Sequence, residues 1–315
     1  MNALQSLPRP FFVLAPMDDV TDTVFRRIIA SCASPDLFFT EFVNVDGLQS
    51  PGRPRLLRRI QFTPSERPLI AQIWGKDPEH FRKTAAELVE MGFAGIDINM
   101  GCPEKTVVKN GCCSALINNR ERAVEIIKAV QAGAADRVPV SVKTRLGFHE
   151  IDLSWPELLL KQNLAMLTIH GRTRKEMSDV PAHWDEIGKV RELRDRIAPG
   201  TLIVGNGDVQ SRTQAEALAT QYKLDGIMIG RGVFRDPFVF AKVSPWPAYT
   251  REQKIALYAN HVKLFAKTWT SLDRNIATLN RFCKVYISGF DGAKELREQL
   301  MAATSTSELL SMLNV

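Results

Sequence analysis

Short β-rich runs alternate with amphipathic helical stretches from Phe12 to about Val243, and few folds accommodate such an alternation. Several runs are almost continuously apolar, as strands buried on both faces of a parallel sheet are. Eight strands are predicted, at residues 12–17, 37–43, 69–74, 95–100, 140–145, 166–170, 202–205 and 226–230. Eight such units predict an α/β fold of the (β/α)8 TIM barrel type, in which the chemistry lies at the C-terminal ends of the strands.

A proline-rich break at Pro245 and Pro247 ends this alternation. Helical patterns follow at residues 251–268, 275–287, 293–303 and 307–313. We therefore expect a barrel domain at residues 1–243 and a small all-helical domain at residues 244–315. Over residues 245–315, nine Lys and Arg stand against six Asp and Glu, so this part of the chain carries a net charge of +3.

Composition narrows the class of protein further. With 45% hydrophobic and 24% charged residues, the chain has the balance of an ordinary globular protein. No apolar run reaches the roughly 18 residues of a membrane helix. The first ten residues also lack the apolar stretch of a signal peptide, so we expect a cytoplasmic protein without membrane contact. A monomer is expected as well. The net charge of +6 favours an anionic partner such as nucleic acid, although a slightly basic cytosolic protein would carry it too.

The cysteines argue against a disulfide framework, because their number is odd and no CxxC spacing occurs. Metal binding by Cys102, Cys112, Cys113 and His170 would lack the paired spacing of structural zinc sites, so no metal is expected. Reduced thiols are expected at all five positions, Cys32, Cys102, Cys112, Cys113 and Cys283.

Two glycine-rich loops follow the last two predicted strands, Gly205-Asn206-Gly207-Asp208 and Gly230-Arg231-Gly232. In β/α barrels this is the usual phosphate site, because small residues let backbone amides approach the anion and an arginine adds charge-assisted hydrogen bonds. Either loop alone is equally well explained as a tight turn. Their joint occurrence after these two strands favours a phosphorylated ligand.

Polar residues inside predicted strands are further candidates. Alternation places Ser141, Lys143 and Arg145 on one face of the fifth strand. If that face is the lumen, the Lys143 ammonium needs an anionic partner, either a ligand such as reduced flavin or a neighbouring acid such as Asp97. Gln72 lies in an otherwise apolar strand, and its amide can donate and accept at once, which suits a flavin or uracil edge.

The sixth strand delivers His170 and Arg172 to the barrel mouth, where either side chain could hold a ring carbonyl. A purely structural histidine is the common alternative. Cys102 follows the fourth strand on a Gly-Pro turn. With an unperturbed pKa of about 8.5 its thiol is mostly protonated at neutral pH and can act as a general acid. A nucleophilic role would need a nearby base, and the sequence indicates none.

With these residues in order, the chain resembles the tRNA-dihydrouridine synthase family over essentially the whole barrel. No single motif is decisive, but the ordered set is highly specific. The motifs are Leu14-Ala15-Pro16-Met17, Val20-Thr21-Asp22, Thr40-Glu41-Phe42, Gln72, Asn99-Met100-Gly101-Cys102-Pro103, Val142-Lys143-Thr144-Arg145, His170-Gly171-Arg172-Thr173, Gly205-Asn206-Gly207-Asp208 and Gly230-Arg231-Gly232.

The resemblance implies a flavin enzyme that reduces uridine to dihydrouridine in tRNA, with NADPH or NADH as the nicotinamide reductant of FMN. It implies that hydride passes from the flavin to C6 of uracil while Cys102 protonates C5 from the opposite side. Asn99 and Arg172 would orient the base, and the positive helical domain would grip tRNA phosphates. The cofactor-binding roles that carry over fall on Pro16, Met17, Asp18, Gln72, Lys143, His170, Asn206, Gly207, Asp208, Gly230 and Arg231.

Three other functions remain open at this point. An FMN barrel could act on a free pyrimidine, as in dihydroorotate dehydrogenase, although the basic helical extension argues against it. Lys143 could form a Schiff base in an aldolase, which a flavin-free protein would favour. The chain could also be an RNA-binding module without chemistry, although Cys102, Lys143 and both phosphate loops speak against lost activity.

Overall fold

The computed structural model of the protein describes residues 4–270 and 274–314; Asp273, one of the six acids counted above, lies outside the described residues. Parallel strands form one sheet, and helices pack on its outer face. The strands are β1 (Phe11–Leu14), β2 (Phe38–Phe39), β3 (Val43–Asn44), β4 (Leu69–Trp74), β5 (Gly95–Met100), β6 (Val140–Gly147), β7 (Met166–Thr173), β8 (Leu202–Asn206) and β9 (Gly226–Ile229).

The sheet closes into a barrel. Its strand order is β1-β9-β8-β7-β6-β5-β4-β2, and β3 also pairs with β4. A parallel bridge between Val13 and Leu37 joins β1 to the segment that leads into β2, where the Leu14 backbone N–H donates to the Leu37 carbonyl at 3.1 Å. Because β2 and β3 share one place beside β4, the strands occupy the eight places of a (β/α)8 barrel, and the predicted fold class is confirmed.

Several predicted strands have wrong bounds: the fifth and sixth run on to Gly147 and Thr173, and the seventh and eighth differ by one residue at their ends. The first and second strands differ for reasons that the structure shows. The second, expected at residues 37–43, is split into β2 and β3, because Thr40 Oγ1 accepts the Gln72 backbone N–H at 3.1 Å and replaces a carbonyl of the ladder. The first, expected at residues 12–17, ends at Leu14, because Pro16 has no N–H and the Met17 N–H donates to Thr21 Oγ1 at 2.9 Å.

Helices follow the strands as predicted, and further helices complete the chain. The predicted helix at 275–287 begins as a 3₁₀ turn, Ile276–Leu279, before α11. Among the described residues, none of the helices combines the length and apolar character that a membrane span needs. The helices are α1 (Thr23–Ala33), α2 (Val45–Leu48), α3 (Arg53–Leu57), α4 (Pro78–Glu90), α5 (Lys105–Lys109), α6 (Arg120–Ala134), α7 (Ser154–Leu160), α8 (Trp184–Ile197), α9 (Arg212–Tyr222), α10 (Arg251–Thr268), α11 (Asn280–Tyr286), α12 (Ala293–Ala302) and α13 (Thr306–Met312).

The C-terminal helices pack on the barrel through aromatic side chains. Phe25 of α1 stacks on Phe282 of α11 with ring centroids 4.9 Å apart, and His261 of α10 lies 6.1 Å from the same Phe25 ring. The buried His261 ring hydrogen-bonds to the Tyr286 hydroxyl at 3.0 Å. A domain boundary between residues 243 and 244 stays a prediction.

Because side chains alternate along each strand, they pack into two separate cores, one between the sheet and the helices and one in the lumen. Val142 on β6 faces the helices and belongs to the large outer cluster. Phe11 and Val13 on β1, with Met228 on β9, belong to a smaller cluster that fills the lumen. The lumen face of β6 therefore carries Lys143 and its neighbours at i±2, as the alternation predicts.

A buried ion pair anchors α1 beneath the β1 loop. Arg26 Nη2 lies 2.6 Å from Glu66 Oε2, and both side chains are fully buried. Arg26 Nη1 also donates to the Thr21 carbonyl at 2.6 Å, and Thr23 Oγ1 donates to Glu66 Oε1 at 2.6 Å. These bonds hold the segment that connects the end of β1 to α1.

We expect Glu66→Gln to lower the free energy of unfolding by about 3–5 kcal/mol, because Arg26 would keep its charge in a buried place without a counter-ion. Urea unfolding followed by circular dichroism measures this change. Glu79→Gln, which removes an exposed i,i+3 ion pair with Arg82, is the matched control and should leave the unfolding midpoint unchanged. Equal midpoints for both variants would contradict the role assigned to the buried pair.

Candidate active site

Polar side chains from successive strands meet at the C-terminal end of the lumen. Asp97 and Gln72 form its lower layer, with Gln72 Nε2 2.8 Å from Asp97 Oδ2. Ser141 Oγ donates to the other Asp97 oxygen at 2.6 Å, and Asn99 Nδ2 donates to Gln72 Oε1 at 3.0 Å. Burial raises the pKa of Asp97 to about 6, against the hydrogen bonds from Ser141 and Gln72. Gln72, the polar residue in the otherwise apolar strand β4, is thus fully paired with other side chains. Its contact with a cofactor stays a prediction.

Lys143 lies above this layer without a partner. Among the described residues its ammonium makes no hydrogen bond and no ion pair, and the Asp97 carboxylate accepts from Gln72 and Ser141. The alternative of a structural Lys143–Asp97 ion pair is therefore not formed. Burial, and next the charge of Arg145, lower the pKa of Lys143 to about 8. An anion bound beside Lys143 would be stabilised by a charge that nothing else neutralises directly.

Asn99 fixes the loop that carries Cys102. Its Oδ1 accepts the backbone N–H groups of Gly101 and Cys102, each at 3.0 Å. On the other side, Ser114 Oγ donates to the Cys102 carbonyl at 2.8 Å. Asn99 therefore holds the half-buried Cys102 in position at the mouth. Its predicted contact with the base is a separate role.

The expectation of an unperturbed Cys102 thiol is wrong. The neighbouring Cys113 thiol lowers the pKa of Cys102 to about 7, against the opposing effect of burial. The Glu104 backbone N–H and the Arg145 charge act in the same direction. A thiol with a pKa near the working pH suits a general acid better than one with its ordinary pKa, because it releases its proton more readily.

Arg145 is a site residue that sequence reasoning left without a role. Its Nε donates to the Gly101 carbonyl at 2.8 Å, and its Nη1 donates to the carbonyls of Thr173 and Met177 at 2.9 and 2.8 Å. It therefore ties the Cys102 loop to the segment after β7. The sequence did contain a signal for Arg145, since alternation placed it on the same strand face as Lys143.

The two glycine-rich loops form one small cavity of about 120 Å³. Gly207 has a φ of 140°, and a methyl group on it would lie 2.6 Å from the Ala182 side chain, so only glycine fits there. Arg235 and Gln210, which the sequence did not single out, also line the cavity, and Arg235 Nη1 donates to Gln210 Oε1 at 2.7 Å. The predicted residues that meet here are His170, Asn206, Gly207, Asp208, Gly230 and Arg231.

Asp208 orders the cationic side chains around this cavity. Its Oδ2 accepts from Arg172 Nη2 and from the Ala182 backbone N–H, the latter at 3.0 Å. Its Oδ1 accepts from Arg231 Nη2 at 3.2 Å, and 63% of the Arg231 side chain is exposed. Arg231 can therefore leave Asp208 for an incoming phosphate at little cost, because its bond to Asp208 is exposed to solvent.

His170 is neutral at the rim of the cavity. Burial, reinforced by the charges of Lys143, Arg145, Arg172 and Arg231, lowers the pKa of His170 well below its ordinary value. Arg172 Nη1 lies 3.2 Å from His170 Nε2, and because a guanidinium can only donate, Nε2 accepts and the ring proton is assigned to Nδ1. Arg172 is further bonded to the Val180 carbonyl at 2.6 Å, so its contact with a base stays a prediction.

The β1 loop brings the predicted Pro16-Met17-Asp18 segment beside the cavity. The Ala15 N–H donates to the Ile229 carbonyl at 2.9 Å, and a methyl group on Gly230 would lie 3.9 Å from Met17 Sδ. Asp18 instead pairs with Arg59 at the surface. Pro16 and Met17 are thus near the glycine-rich loops, whereas the Asp18 carboxylate is engaged elsewhere.

A cluster of acids and arginines joins the mouth to the C-terminal segment, and the sequence did not predict it. Arg274 binds Asp22 at 2.9 Å and Glu41 at 2.8 Å, and Trp269 Nε1 donates to Asp22 Oδ2 at 3.1 Å. Burial raises the pKa of Glu41 to about 7, opposed first by the Arg274 charge. These contacts join the loops that follow β1 and β2 to the segment that follows α10.

A closed parallel barrel, a glycine-lined cavity after β8 and β9, and an unpartnered lysine in the lumen together define a β/α barrel protein with a candidate ligand site at the C-terminal end of its strands. Comparison with known proteins then gives the family. The model of the dihydrouridine synthase family, described as Dihydrouridine synthase (Dus), matches residues 13–315. The chain belongs to the dihydrouridine synthase family.

Curated relatives agree with this assignment. The probable tRNA-dihydrouridine synthase of Staphylococcus aureus (strain COL) is 47% identical, over 99% of this chain and 95% of that protein. The probable tRNA-dihydrouridine synthase 2 of Bacillus subtilis (strain 168) is 46% identical, over 99% of this chain and 96% of that protein.

Solved structures support the barrel fold alone, because their sequences are distant. Histamine dehydrogenase from Rhizobium sp. 4-9 is similar with a TM-score of 0.55 and 13% identity, over 84% of this chain and 51% of that one. A morphinone reductase variant in complex with tetrahydroNAD is similar with a TM-score of 0.51 and 13% identity, over 78% of this chain and 91% of that one.

Proposed function

We propose that this protein is a flavin-dependent tRNA-dihydrouridine synthase, which binds FMN at the barrel mouth and reduces the C5–C6 double bond of uridines in tRNA. The observation that carries the proposal is the joint presence of the glycine-lined cavity, the unpartnered Lys143 and the half-buried Cys102 at one end of one barrel. The choice of tRNA as the substrate is supported by family membership and by the names of the relatives from Staphylococcus and Bacillus.

The residues at the mouth fit FMN. The phosphate would lie in the cavity against the backbone of Gly207 and Gly230 and the Arg231 guanidinium. The Lys143 ammonium would stabilise negative charge on the ring, and the buried Thr168 Oγ1, beside Lys143 in the β6–β7 pairing, has no hydrogen-bond partner among the described residues. Other proposed contacts are Pro16, Met17, Asp18, Gln72, His170, Asn206 and Asp208. When bound, FMN would supply the hydride, and NADPH or NADH would restore it.

Cys102 is the proposed proton donor to C5 of the base. Asn99 holds its backbone, and the Arg145 cation lies near its sulfur, so the thiol is fixed in place and readily gives up its proton. Asn99 and Arg172 are the proposed contacts of the uracil. A base in a tRNA loop, where stacking is weak, could leave its stack and enter the mouth at low cost.

The C-terminal helices are the proposed tRNA-binding surface. Residues 244–315 would act as a tRNA-binding domain, because this region carries the net charge of +3 that the sequence shows. Binding through phosphates should weaken as salt rises, since counter-ions compete for the same lysines and arginines. A tRNA substrate also implies a cytoplasmic location; a monomer stays a prediction.

We expect Cys102→Ala to retain FMN and tRNA binding while dihydrouridine formation falls by a factor of about 10² to 10⁴, the usual contribution of a positioned general acid. Mass spectrometry of digested tRNA after incubation with NADPH measures the product. Cys32→Ala, a cysteine in α1 away from the mouth, is the matched control. Unchanged product yield from the Cys102 variant would refute its role as acid.

Lys143→Ala should weaken FMN binding about tenfold or more, because a hydrogen bond to a charged group contributes about 1.5–3 kcal/mol. Flavin fluorescence quenching measures the affinity. Lys161→Ala removes an exposed lysine that pairs with Glu157 on the outer surface and should bind FMN as the unmodified protein does. If the two variants bind FMN equally well, Lys143 has no part in holding the cofactor.

A further inference from the structure

One arginine at the rim of the mouth has no counter-charge. Arg174 directly follows β7, and among the described residues its guanidinium makes no hydrogen bond and no ion pair. We propose that Arg174 binds a phosphate of the RNA strand whose base enters the mouth, at a position separate from the glycine-lined cavity. This inference rests on the proposed function and names a contact of the barrel itself with the RNA backbone. The plain alternative is an arginine that is only solvated.

Two backbone hydrogen bonds hold Arg174 in a fixed place on the rim. Its N–H donates to the Gly147 carbonyl at 2.9 Å, and the N–H of the next residue, Lys175, donates to the Phe148 carbonyl at 2.9 Å. The segments that follow β6 and β7 are thus joined beyond the ends of the two strands. Arg174 therefore lies on a braced segment and not at the tip of a free loop.

The same segment is tied to the loop of the proposed proton donor. Arg145 Nη1 donates to the Thr173 carbonyl at 2.9 Å, and Arg145 Nε donates to the Gly101 carbonyl at 2.8 Å. Thr173 and Gly101 are the immediate neighbours of Arg174 and Cys102 in the chain. One guanidinium therefore bridges the backbone beside Arg174 to the backbone beside Cys102.

An aromatic ring orients the Arg174 guanidinium. Its Cζ lies 5.4 Å from the centroid of the Phe148 ring, and its Nε is buried without a hydrogen-bond partner among the described residues. A cation held against a ring loses less freedom when it binds a ligand than a solvated side chain does. The terminal nitrogens make no hydrogen bond within the described part of the chain, so they are available to an anion.

The acid nearest in sequence does not neutralise Arg174. Glu176 Oε2 accepts the Thr173 N–H at 2.7 Å, and Glu176 Oε1 lies 2.9 Å from His183 Nε2. The adjacent Lys175 is exposed and adds a second positive charge. Since a guanidinium binds a phosphate through two parallel hydrogen bonds, this chemistry suits a phosphodiester.

The place of Arg174 favours RNA as the source of that phosphate. A nucleotide within a strand has a phosphate on each side of its sugar, so a base that reaches Cys102 brings the backbone across the neighbouring rim. Such contacts position a nucleic acid without reading its sequence. Arg174 is not among the residues that line the cavity after β8 and β9, so a phosphate bound there would not occupy the same position.

The salt dependence of tRNA binding tests the proposal, measured by fluorescence anisotropy with a labelled tRNA transcript. The logarithm of the association constant falls linearly with the logarithm of the salt concentration, and the slope reflects the number of phosphates contacted. We expect Arg174→Gln to reduce the magnitude of the slope by about 0.7–0.9, the contribution of one phosphate. Arg174→Lys keeps the charge and should keep the slope. Unchanged FMN affinity would show that both variants are folded.

Arg137→Gln is the matched control, because Arg137 is an exposed arginine that pairs with Glu90 just before β6, at the opposite end of the barrel. Its slope should equal that of the unmodified protein. Equal slopes for the glutamine variants of Arg174 and Arg137 would overturn the proposal. So would an unchanged slope together with a raised KM for NADPH, which would assign Arg174 to a nicotinamide phosphate. Binding needs no turnover, so failure of the unmodified protein to form dihydrouridine would refute the proposed function whatever the slopes are.

Discussion

The site depends on the closure of a parallel ring of strands, which forces side chains to alternate strictly between the lumen and the helices. In a closed ring a shift of one residue would turn every lumen side chain outward, so the register fixes which residues converge. Lys143 on β6 pairs with Asn99 on β5 and with Thr168 on β7, and His170 pairs with Asn206 on β8. Residues far apart in the sequence thus meet at one end of the barrel, where neighbouring loops add Cys102 and the glycine-lined cavity.

Charge at the mouth is the second constraint. Arg172 and Arg231 share the single carboxylate of Asp208, and Arg145 is bonded to carbonyl groups. Lys143 has no anion in contact within the described part of the chain. Burial, reinforced by the positive side chains around His170, keeps this ring neutral. The positive side chains on this side of the mouth favour an anionic ligand.

Strand alternation predicted the barrel, and loop composition singled out residues that line the cavity after β8 and β9, because both depend on local sequence patterns. The split of the second strand at Thr40 was not predictable, since it follows from one hydroxyl replacing a ladder carbonyl opposite Gln72. The same limit applies to Arg274, which reaches Asp22 and Glu41 across more than two hundred residues. The lowered pKa of Cys102 also escaped the sequence, because it depends on the Cys113 thiol and on Arg145 of β6, which only the fold brings near. Local patterns therefore specify which face a residue takes, but not its long-range partner.

We have proposed that the mouth holds a flavin by its phosphate, in the cavity that Gly207 and Arg231 help to line. Titration of flavin-depleted protein with FMN and with riboflavin, followed by flavin fluorescence, tests this most directly, because the two ligands differ only in the phosphate. We expect tight binding of FMN and much weaker binding of riboflavin. Equal affinity for both ligands, or no binding of either, would contradict it.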